Sequence, residues 1–341
     1  PMVDVNATDP SGESALYKAI ASNRKDVIEL LIGNSALVVD GRALHYAINN
    51  KKRDIIPSML AKPNVDINVK DSNGYTPIQV AIQRHDTDVV KMLLQFPKVE
   101  LSFSGGGTIL HTISDHEIAL FDSIIKTGKV DVNAVNASGE TALSFAITQY
   151  QTQLVRKLLQ TRGINPNIGK SLPLSNAIFL KNTPAVELLL ASSNIDLNRE
   201  VGSTGQTLLM LTMSDKAKGT NYFELFMKSP SLNVNMQNSN GSTALHIAAD
   251  GRPQFLNALL SAPHIDVNIR NNFGRTPIAT AVAMARIHSN QAPIIETLLK
   301  VKGIDLGGDK SKPLLTIAIE TYKHDIPMIL LRHPEIGRAH V

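Results

Sequence analysis

Cysteine and tryptophan are absent from this chain, and aromatic residues make up only 4% of its 341 residues. Without cysteine the protein has no disulfide bond, no thiolate nucleophile and no cysteine-ligated zinc. A large globular core usually contains many bulky rings, so their scarcity favours thin layers packed from Leu, Ile, Val and Ala. The hydrophobic fraction of 43% is nonetheless too high for a disordered chain.

Long apolar runs and dense runs of one charge are also missing. No stretch approaches the roughly 18 apolar residues of a membrane-spanning helix, and no signal peptide is recognisable, so we expect no membrane insertion and a cytoplasmic, monomeric protein. The net charge of +4 is spread along the chain, with its densest basic run at Lys51-Lys52-Arg53. Nucleic-acid binding needs a clustered basic stripe, so we expect no nucleic-acid partner.

A short phrase resembling Thr-Pro-Leu recurs along the chain at intervals of 28 to 37 residues. Every copy has Leu or Ile two residues after its first residue, and eight of the ten copies have Ala five residues after it. Such regular spacing is the signature of a repeat protein. We number the repeats one to ten by these anchor residues: Ser14, Arg42, Thr76, Thr108, Thr141, Leu172, Thr207, Thr243, Thr276 and Pro313.

The residues of one repeat predict a turn followed by two helices. A Thr or Ser anchor caps a helix, and a following Pro, as at Pro77, fits its first turn. The Leu or Ile and the Ala lie three residues apart, so they share one helix face. A second apolar helix follows, and then an Asp-apolar-Asn linker such as 266–268. A Gly shortly before many anchors, such as Gly74, allows a tight turn.

This pattern resembles the ankyrin repeat family, and Thr243-Ala244-Leu245-His246-Ile247-Ala248-Ala249 is the copy nearest to its motif. The resemblance implies an all-α repeat solenoid of about ten helix-turn-helix units with β-hairpin fingers, covering residues 3–336. It also implies a curved, elongated array whose concave face, lined by fingers and first helices, binds a protein. We interpret residues 337–341 as a tail left by cloning, and we expect the array to have been cut from a longer one.

The copies depart from the pattern at several places. We predict full fingers in repeats one, three, five, seven, eight and nine, and shortened fingers in repeats two, four, six and ten. In repeat four the finger is Ser104-Gly105-Gly106-Gly107, which we expect to be mobile. Repeats seven and nine carry inserts near 214–220 and 285–293, which we expect to lie in loops between their helices.

The motifs that suggest chemistry are weak. Gly169-Lys170-Ser171 lacks the upstream Gly spacing and the preceding strand of a phosphate-binding loop. His45, His111 and His246 sit three residues past an anchor, and the family resemblance implies that they bind backbone and lock adjacent repeats. His116-Glu117 does not fit the HExxH frame of a zinc site. We therefore expect no catalytic residue, no metal and no cofactor, and conclude that the array is not an enzyme.

Seven residues are candidates for partner binding, because they occupy variable places on fingers or at the ends of first helices. They are Tyr75, Gln83, Arg84, Phe179, Leu180, Phe273 and Arg275. The alternative is that these rings cover neighbouring fingers, or that Phe179 and Leu180 fold back into the stack. The function we expect is a protein-binding scaffold or adaptor. The alternative function is the recognition arm of a larger enzyme, or of a secreted effector in the host cytosol, with its catalytic domain outside this chain.

Overall fold

A computed structural model describes residues 4–103, 105–214, 220–334 and 336. Within those residues the chain is almost entirely helical, with nineteen α-helices, three 3-10 helices and one two-stranded sheet. The 3-10 helices are Ile109–His111, Asp115–Leu120 and Pro253–Phe255, and the antiparallel strands Glu200–Val201 and Gln206–Thr207 pair Glu200 with Thr207. The α-helices are Ala15–Ala21, Lys25–Gly33, Gly41–Asn49, Ile56–Leu60, Pro77–Gln83, Thr87–Leu94, Phe121–Lys126, Ala142–Thr148, Thr152–Leu159, Pro173–Phe179, Thr183–Leu190, Leu208–Thr212, Tyr222–Met227, Ala244–Ala249, Leu256–Leu260, Pro277–Met284, Ala292–Leu299, Leu314–Ile319 and Asp325–Leu331.

The chain divides into two compact units, residues 1–170 and 171–341. In the first unit the helix Ala15–Ala21 packs on Gly41–Asn49, which packs on Pro77–Gln83. In the second unit the corresponding stack runs from Pro173–Phe179 to Leu314–Ile319. In both units a first helix also packs on the second helix that follows it, so each pair forms one layer.

The caps explain where the first helices begin. The Thr141 hydroxyl accepts a hydrogen bond from the backbone N–H of Ser144 at 3.1 Å, which satisfies a donor that the helix leaves unpaired. Repeat two differs from the expected start near Arg42. There Asp40 is the cap, accepting from Ala43 N at 2.8 Å, so the helix begins at Gly41 and Arg42 lies inside it.

The core lies between successive layers and is built from the residues that recur in the sequence. Leu245 and Ala248, which share a face of the helix Ala244–Ala249, are both 0% exposed. The same holds for Leu143 and Ala146 in the first unit. Because Ala carries only a methyl group, a neighbouring helix approaches closely, and a larger or charged side chain has no space there.

The fingers are closed by hydrogen bonds at both ends of a short hairpin. In repeat nine the N–H of Asn271 donates to the carbonyl of Arg275 at 2.9 Å, and the Asn271 side chain accepts from the N–H groups of Phe273 and Arg275 at 3.0 and 3.1 Å. Asp or Asn takes this place in repeats one, three, five and eight as well. A short polar side chain therefore holds the finger in its turn.

The finger of repeat four corrects the prediction that it is shortened. Phe103 N donates to Gly107 O at 2.7 Å, Gly106 N donates to Phe103 O at 3.1 Å, and Ser102 and Thr108 form an isolated antiparallel bridge. This closure has the same residue spacing as the full fingers. Successive glycines follow this turn without steric conflict, which is why an unusual sequence still forms the hairpin. Ser104, part of the segment predicted to be mobile, lies outside the described residues.

The linker asparagines connect consecutive repeats. Asn235 donates its amide N–H to the carbonyl of His264 at 2.7 Å, and its amide oxygen accepts the N–H of Asp266 at 2.9 Å. Asn68 makes the same pair of bonds with the carbonyl of Lys98 and the N–H of Glu100. Each amide therefore pairs with the next linker as a backbone strand would, and the Asp of the phrase orients its own Asn through a short turn.

The inserts differ in how much of them is described. Residues 215–219 of the repeat-seven insert lie outside the described residues. The repeat-nine insert lies between the helices Pro277–Met284 and Ala292–Leu299, as predicted. His288 of this loop approaches Asp250 at 3.5 Å, and Ile287 is 72% exposed. The insert is therefore a loop that reaches back to the preceding repeat.

Candidate partner-binding surface

The histidines after the anchors are structural, as the sequence predicts. His246 Nε2 lies 2.9 Å from the carbonyl oxygen of Arg275, a residue of the next finger, while its Nδ1 accepts the N–H of Thr243 at 3.1 Å. His111 bonds the carbonyl of Glu140 in the same way at 3.1 Å. Burial lowers the pKa of His246, and the bond to the Arg275 carbonyl opposes that shift. His246 is therefore a neutral donor, and both histidines hold the next finger in place through its backbone carbonyl.

The first candidate residues lie on the finger and first helix of repeat three. Tyr75 closes the finger by accepting a backbone hydrogen bond from Asp71 at 2.9 Å, and its ring remains 39% exposed. Gln83 is the last residue of the helix Pro77–Gln83, and both Gln83 and Arg84 are exposed. Arg84 Nε donates to Asn49 Oδ1 at 2.9 Å, so its guanidinium group is held against the preceding first helix.

Phe179 and Leu180 end the first helix of repeat six. Phe179 is the last residue of Pro173–Phe179 and Leu180 caps that helix, and their exposed fractions are 41% and 37%. At the equivalent place in repeat three the chain has the polar pair Gln83 and Arg84. Both apolar side chains therefore present surface to solvent in a place where repeat three carries polar residues.

Phe273 and Arg275 form a defined pair on the finger of repeat nine. Phe273 is 63% exposed, and the Arg275 guanidinium carbon lies 5.8 Å from the centre of its ring. Arg275 Nη2 also lies 3.1 Å from Asp309 Oδ2 in the following finger. The arginine is thus fixed between a carboxylate and the ring face, and the ring is held in an exposed position.

The seven candidates divide between the two units. Tyr75, Gln83 and Arg84 belong to the first unit, and Phe179, Leu180, Phe273 and Arg275 belong to the second. All seven are at the predicted places, on fingers or at the ends of first helices. Phe273 and Arg275 are in direct contact with each other.

Comparison with known families agrees with this geometry. A family model described as "Ankyrin repeats (3 copies)" matches residues 1–71, 44–121, 113–201, 174–271 and 209–308, which together cover well over half of the chain. The chain belongs to the ankyrin repeat family. The expectation drawn from the recurring phrase that resembles Thr-Pro-Leu is confirmed.

Relatives extend the likeness along most of the chain. "Putative ankyrin repeat protein L371" of Acanthamoeba polyphaga mimivirus is 21% identical over 308 residues, 79% of this chain and 40% of its own length. "Rabankyrin-5" of Mus musculus is 28% identical over 262 residues, 72% and 19% of the two chains. "E3 ubiquitin-protein ligase KEG" of Arabidopsis thaliana is 21% identical over 337 residues, 94% and 21%. The chain spans less than half of the length of each of these relatives.

Sequence reasoning missed two tyrosines at the turns between ankyrin helices. Tyr150 and Tyr322 have φ angles of 56° and 60° and are 55% and 84% exposed. Bulky residues rarely adopt this left-handed conformation, which favours Gly, Asn or Asp. The signal was in the sequence, because both stand nine residues past an anchor, where Asn23 and His85 also adopt positive φ.

Glu117 has a structural role in the ankyrin array. It is 2% exposed, accepts from Ser114 N at 3.0 Å and bonds the Ser114 hydroxyl and His85 Nδ1. Burial would raise the pKa of Glu117, but the hydrogen bonds from Ser114 and His85 outweigh it and lower the pKa.

Among the described residues no group of three His, Asp or Glu side chains could hold a metal ion.

The motif Gly169-Lys170-Ser171 lies just before the helix Pro173–Phe179. Lys170 of Gly169-Lys170-Ser171 donates its backbone N–H to the carbonyl of Gly139 at 2.8 Å, so Lys170 packs on the preceding finger. The helix that follows begins at Pro173, which has no N–H to offer a phosphate.

No helix in the described part of the chain is long and apolar enough to cross a membrane.

Proposed function

We propose that this protein is a non-catalytic scaffold or adaptor: a curved, elongated array of about ten ankyrin repeats that binds a protein through its fingers and first helices. Ankyrin repeats are generally protein-interaction modules, which supports this class of function. The array uses no cofactor, acts as a monomer in the cytoplasm and takes no nucleic acid as its partner. Its basic residues are dispersed, and several, such as Arg53 and Arg270, are paired with carboxylates.

The observation that carries the proposal is the exposed ring of Phe273. A ring that is 63% exposed contributes little to the core, and the guanidinium group of Arg275, itself paired with Asp309, lies over it at 5.8 Å. Aromatic and Arg side chains provide much of the energy of protein interfaces. A fixed ring also loses little side-chain entropy when a partner covers it.

The other candidates supply similar surface. Phe179 and Leu180 offer an apolar patch in the second unit, and Tyr75 offers a ring beside the held guanidinium of Arg84 in the first. Single substitutions of Phe273, Phe179 and Tyr75 by Ala are each expected to weaken partner binding by about 2 kcal/mol where the ring lies in the interface. Phe273, at 63% exposed, is the ring least involved in packing, whereas Phe179 and Tyr75 are 41% and 39% exposed, so the melting temperature of each variant is measured alongside its affinity.

The test is affinity capture from the native cells, followed by a binding titration with the captured protein. Phe273→Ala is expected to lower the affinity more than tenfold with an unchanged melting temperature. The matched control is Ile287→Ala, which removes an equally exposed apolar side chain from the repeat-nine loop. If the wild type binds a partner and neither Phe273, Phe179, Leu180 nor Tyr75 affects the affinity, the interface lies elsewhere.

A second function has support in the comparisons. The chain spans 21% of a relative named as an E3 ubiquitin-protein ligase and 17% of one named as a probable serine/threonine-protein kinase. We therefore also propose that this array is the recognition arm of a larger enzyme or secreted effector. Sequencing the complete transcript decides between the two, since a catalytic domain joined to the array supports the arm and an open reading frame of repeats alone supports the scaffold.

A further inference from the structure

A groove of about 750 Å³ lies within the first unit, between the first helices of repeats one and two and the fingers of repeats one to three. Its volume falls in the range of ligand-binding clefts. None of the seven candidates chosen from the sequence lines it. The groove is therefore a distinct part of the surface that we propose binds proteins.

Two tyrosines form the aromatic part of the groove. The rings of Tyr17 and Tyr46 come from successive first helices, and their centres are 5.1 Å apart in an edge-to-face arrangement. Both side chains are only partly buried. A ring face that is open to the cleft attracts a cation, because the face of an aromatic ring carries negative partial charge.

The charged residues of the groove also favour a cation. Three carboxylates line it and only two cations, although the whole chain has a net charge of +4. The two cations are engaged within the protein: Arg42 donates to the carbonyl of Ser11, and Lys70 has a partner of its own. The lining therefore has one negative charge in excess.

Glu13 is the carboxylate with the weakest internal partner. Asp40 accepts from Ala43 N at 2.8 Å and from the Ser14 hydroxyl, and Asp71 accepts two backbone N–H groups at 2.9 Å. Glu13 instead faces Lys18 at 3.9 Å, and Lys18 is held more closely by Asp9 at 2.5 Å. Glu13 is thus the carboxylate best able to bind an incoming cation.

His45 adds an unsatisfied acceptor to the wall of the groove. Its Nε2 lies 2.9 Å from the Val69 carbonyl and so carries the proton, which leaves Nδ1 as an acceptor. In His111 and His246 the anchor threonine's N–H donates to Nδ1, but here Arg42 replaces that threonine inside the helix. Nδ1 accepts no hydrogen bond from any residue that the structure describes, and His45 is 5% exposed.

We propose that this groove binds a cationic side chain, Arg or Lys, of an extended segment of the partner protein. The cation would lie against the Tyr17 and Tyr46 rings with its charge facing Glu13. This inference rests on the proposed function and specifies its chemistry at one place. It concerns repeats one to three, whereas the Phe273 experiment concerns repeat nine, so either can fail without the other.

The experiment is an NMR titration of the full chain carrying ¹⁵N-labelled tyrosine, which gives six signals for its six tyrosines. The probe is the blocked pentapeptide acetyl-Gly-Gly-Arg-Gly-Gly-amide, compared with versions containing Lys, Glu or the neutral Arg isostere citrulline. The Tyr17 and Tyr46 signals are expected to shift with the Arg and Lys peptides, while the Tyr150 and Tyr322 signals stay in place. Binding should weaken as salt is added.

Substitutions in the groove complete the test. Glu13→Gln and Tyr46→Ala are each expected to raise the dissociation constant about threefold or more, as for cation contacts at a partly exposed site. Glu29→Gln, on an exposed helix face, is the matched control and should change nothing. Equal shifts with the Glu or citrulline peptide, no shift at Tyr17 and Tyr46, or an equal effect of Glu29→Gln would overturn the proposal. Glu13→Gln keeps the test decisive if Tyr46→Ala fails to fold.

Discussion

At the scale of single residues, the side-chain amide of a linker asparagine makes the pair of hydrogen bonds that backbone groups make in a β-ladder. The linker asparagines both donate to and accept from the backbone of the following linker, as Asn235 does with His264 and Asp266. An Asp side chain cannot replace this pairing, because an ionised carboxylate has no N–H to donate. The phrase Asp-apolar-Asn therefore recurs for a reason that involves two repeats rather than one.

Asn235→Ala removes both of these bonds. We expect it to lower the free energy of unfolding by about 1–2 kcal/mol, since each net hydrogen bond contributes roughly 1 kcal/mol and the site is exposed to water. The measurement is urea denaturation followed by circular dichroism. Asn257→Ala, on an exposed helix position, is the control and should stay within about 0.5 kcal/mol of the wild type.

Buried His246 gives the stability of the protein a pH dependence. Burial lowers its pKa below the ordinary value of 6.5, so below pH 6.5 the unfolded chain binds a proton that the folded chain does not. Its contribution to stability is therefore present above pH 6.5 and is lost as the pH falls towards the lowered pKa. Glu117, whose pKa is lowered from 4.5, makes stability depend on pH in a more acidic range than His246 does.

We expect the urea midpoint of the wild type to fall between pH 7 and pH 5 more steeply than that of His246→Gln, which cannot titrate. One proton corresponds to a slope of at most about 1.4 kcal/mol per pH unit. His324→Gln, an exposed histidine at the start of a helix, serves as the control. Parallel pH profiles for the wild type and His246→Gln would show that His246 is not responsible.

At the scale of elements, the finger of repeat eight packs so closely on the next finger that its turn admits only glycine at position 241. Gly241 has a φ angle of +71°, and a Cβ there would lie 2.8 Å from the backbone nitrogen of Asn272 in the next finger. Gly128 has a similar φ angle of +66°, but a Cβ there would meet nothing within 4 Å. The two positions separate the conformational effect from the contact between fingers.

Gly128→Ala is expected to destabilise the protein by about 1 kcal/mol through its left-handed backbone alone. Gly241→Ala should cost at least about 2 kcal/mol, because the neighbouring finger must also move. Denaturant unfolding of both variants provides the comparison. Equal losses would mean that the fingers of repeats eight and nine do not touch at this point.

The buried alanine of each first helix is equally restrictive. Ala248 is 0% exposed between helices, so Ala248→Glu places an unpaired carboxylate in the core. We expect a loss of several kcal/mol, roughly 3 or more, or protonation of the glutamate in the folded state. Ala258→Glu makes the same change at an exposed position of the following helix and should be close to neutral. A loss within about 0.5 kcal/mol for Ala248→Glu would contradict the assigned packing.

The sequence predicts these elements well where they depend on local chemistry. Thr243, His246 and Ala248 reveal a capped helix, a bond to the next finger and a buried face, and the structure shows all three. It predicts poorly where backbone atoms alone make the closing contacts. Phe103 gave no sign of a full finger, because the closing bonds are made by backbone atoms.

The candidate site shows the same division. Exposed places such as Phe273 follow from the register of the repeat, and the structure places that ring in solvent. The groove beside Tyr17 and Tyr46 was missed, because it needs two first helices and three fingers to be brought together. Its unsatisfied His45 depends on a helix that begins two residues earlier than the repeat pattern suggests.

At the scale of the whole molecule, each layer is stabilised by its immediate neighbours. The helix Ala244–Ala249 packs against Leu208–Thr212 and Pro277–Met284, the first helices on either side of it. A chain stabilised in this way loses structure locally before it unfolds as a whole. The energetic effect of a substitution should therefore decline with the number of repeats that separate it from an observed amide.

Hydrogen exchange of Ala248→Glu tests this decline. Amides in Leu208–Thr212, Ala244–Ala249 and Pro277–Met284 are expected to exchange at least about tenfold faster than in the wild type, since 1.4 kcal/mol of lost opening free energy gives that factor. Amides in the helix Ala15–Ala21 should keep their wild-type rates, because the first helices that pack directly on the substituted layer, Leu208–Thr212 and Pro277–Met284, both belong to the second unit. Ala258→Glu should leave both regions unchanged. Uniform acceleration across both units would show instead that the array opens as one cooperative body, and the energy of any one layer would then be shared by all of them.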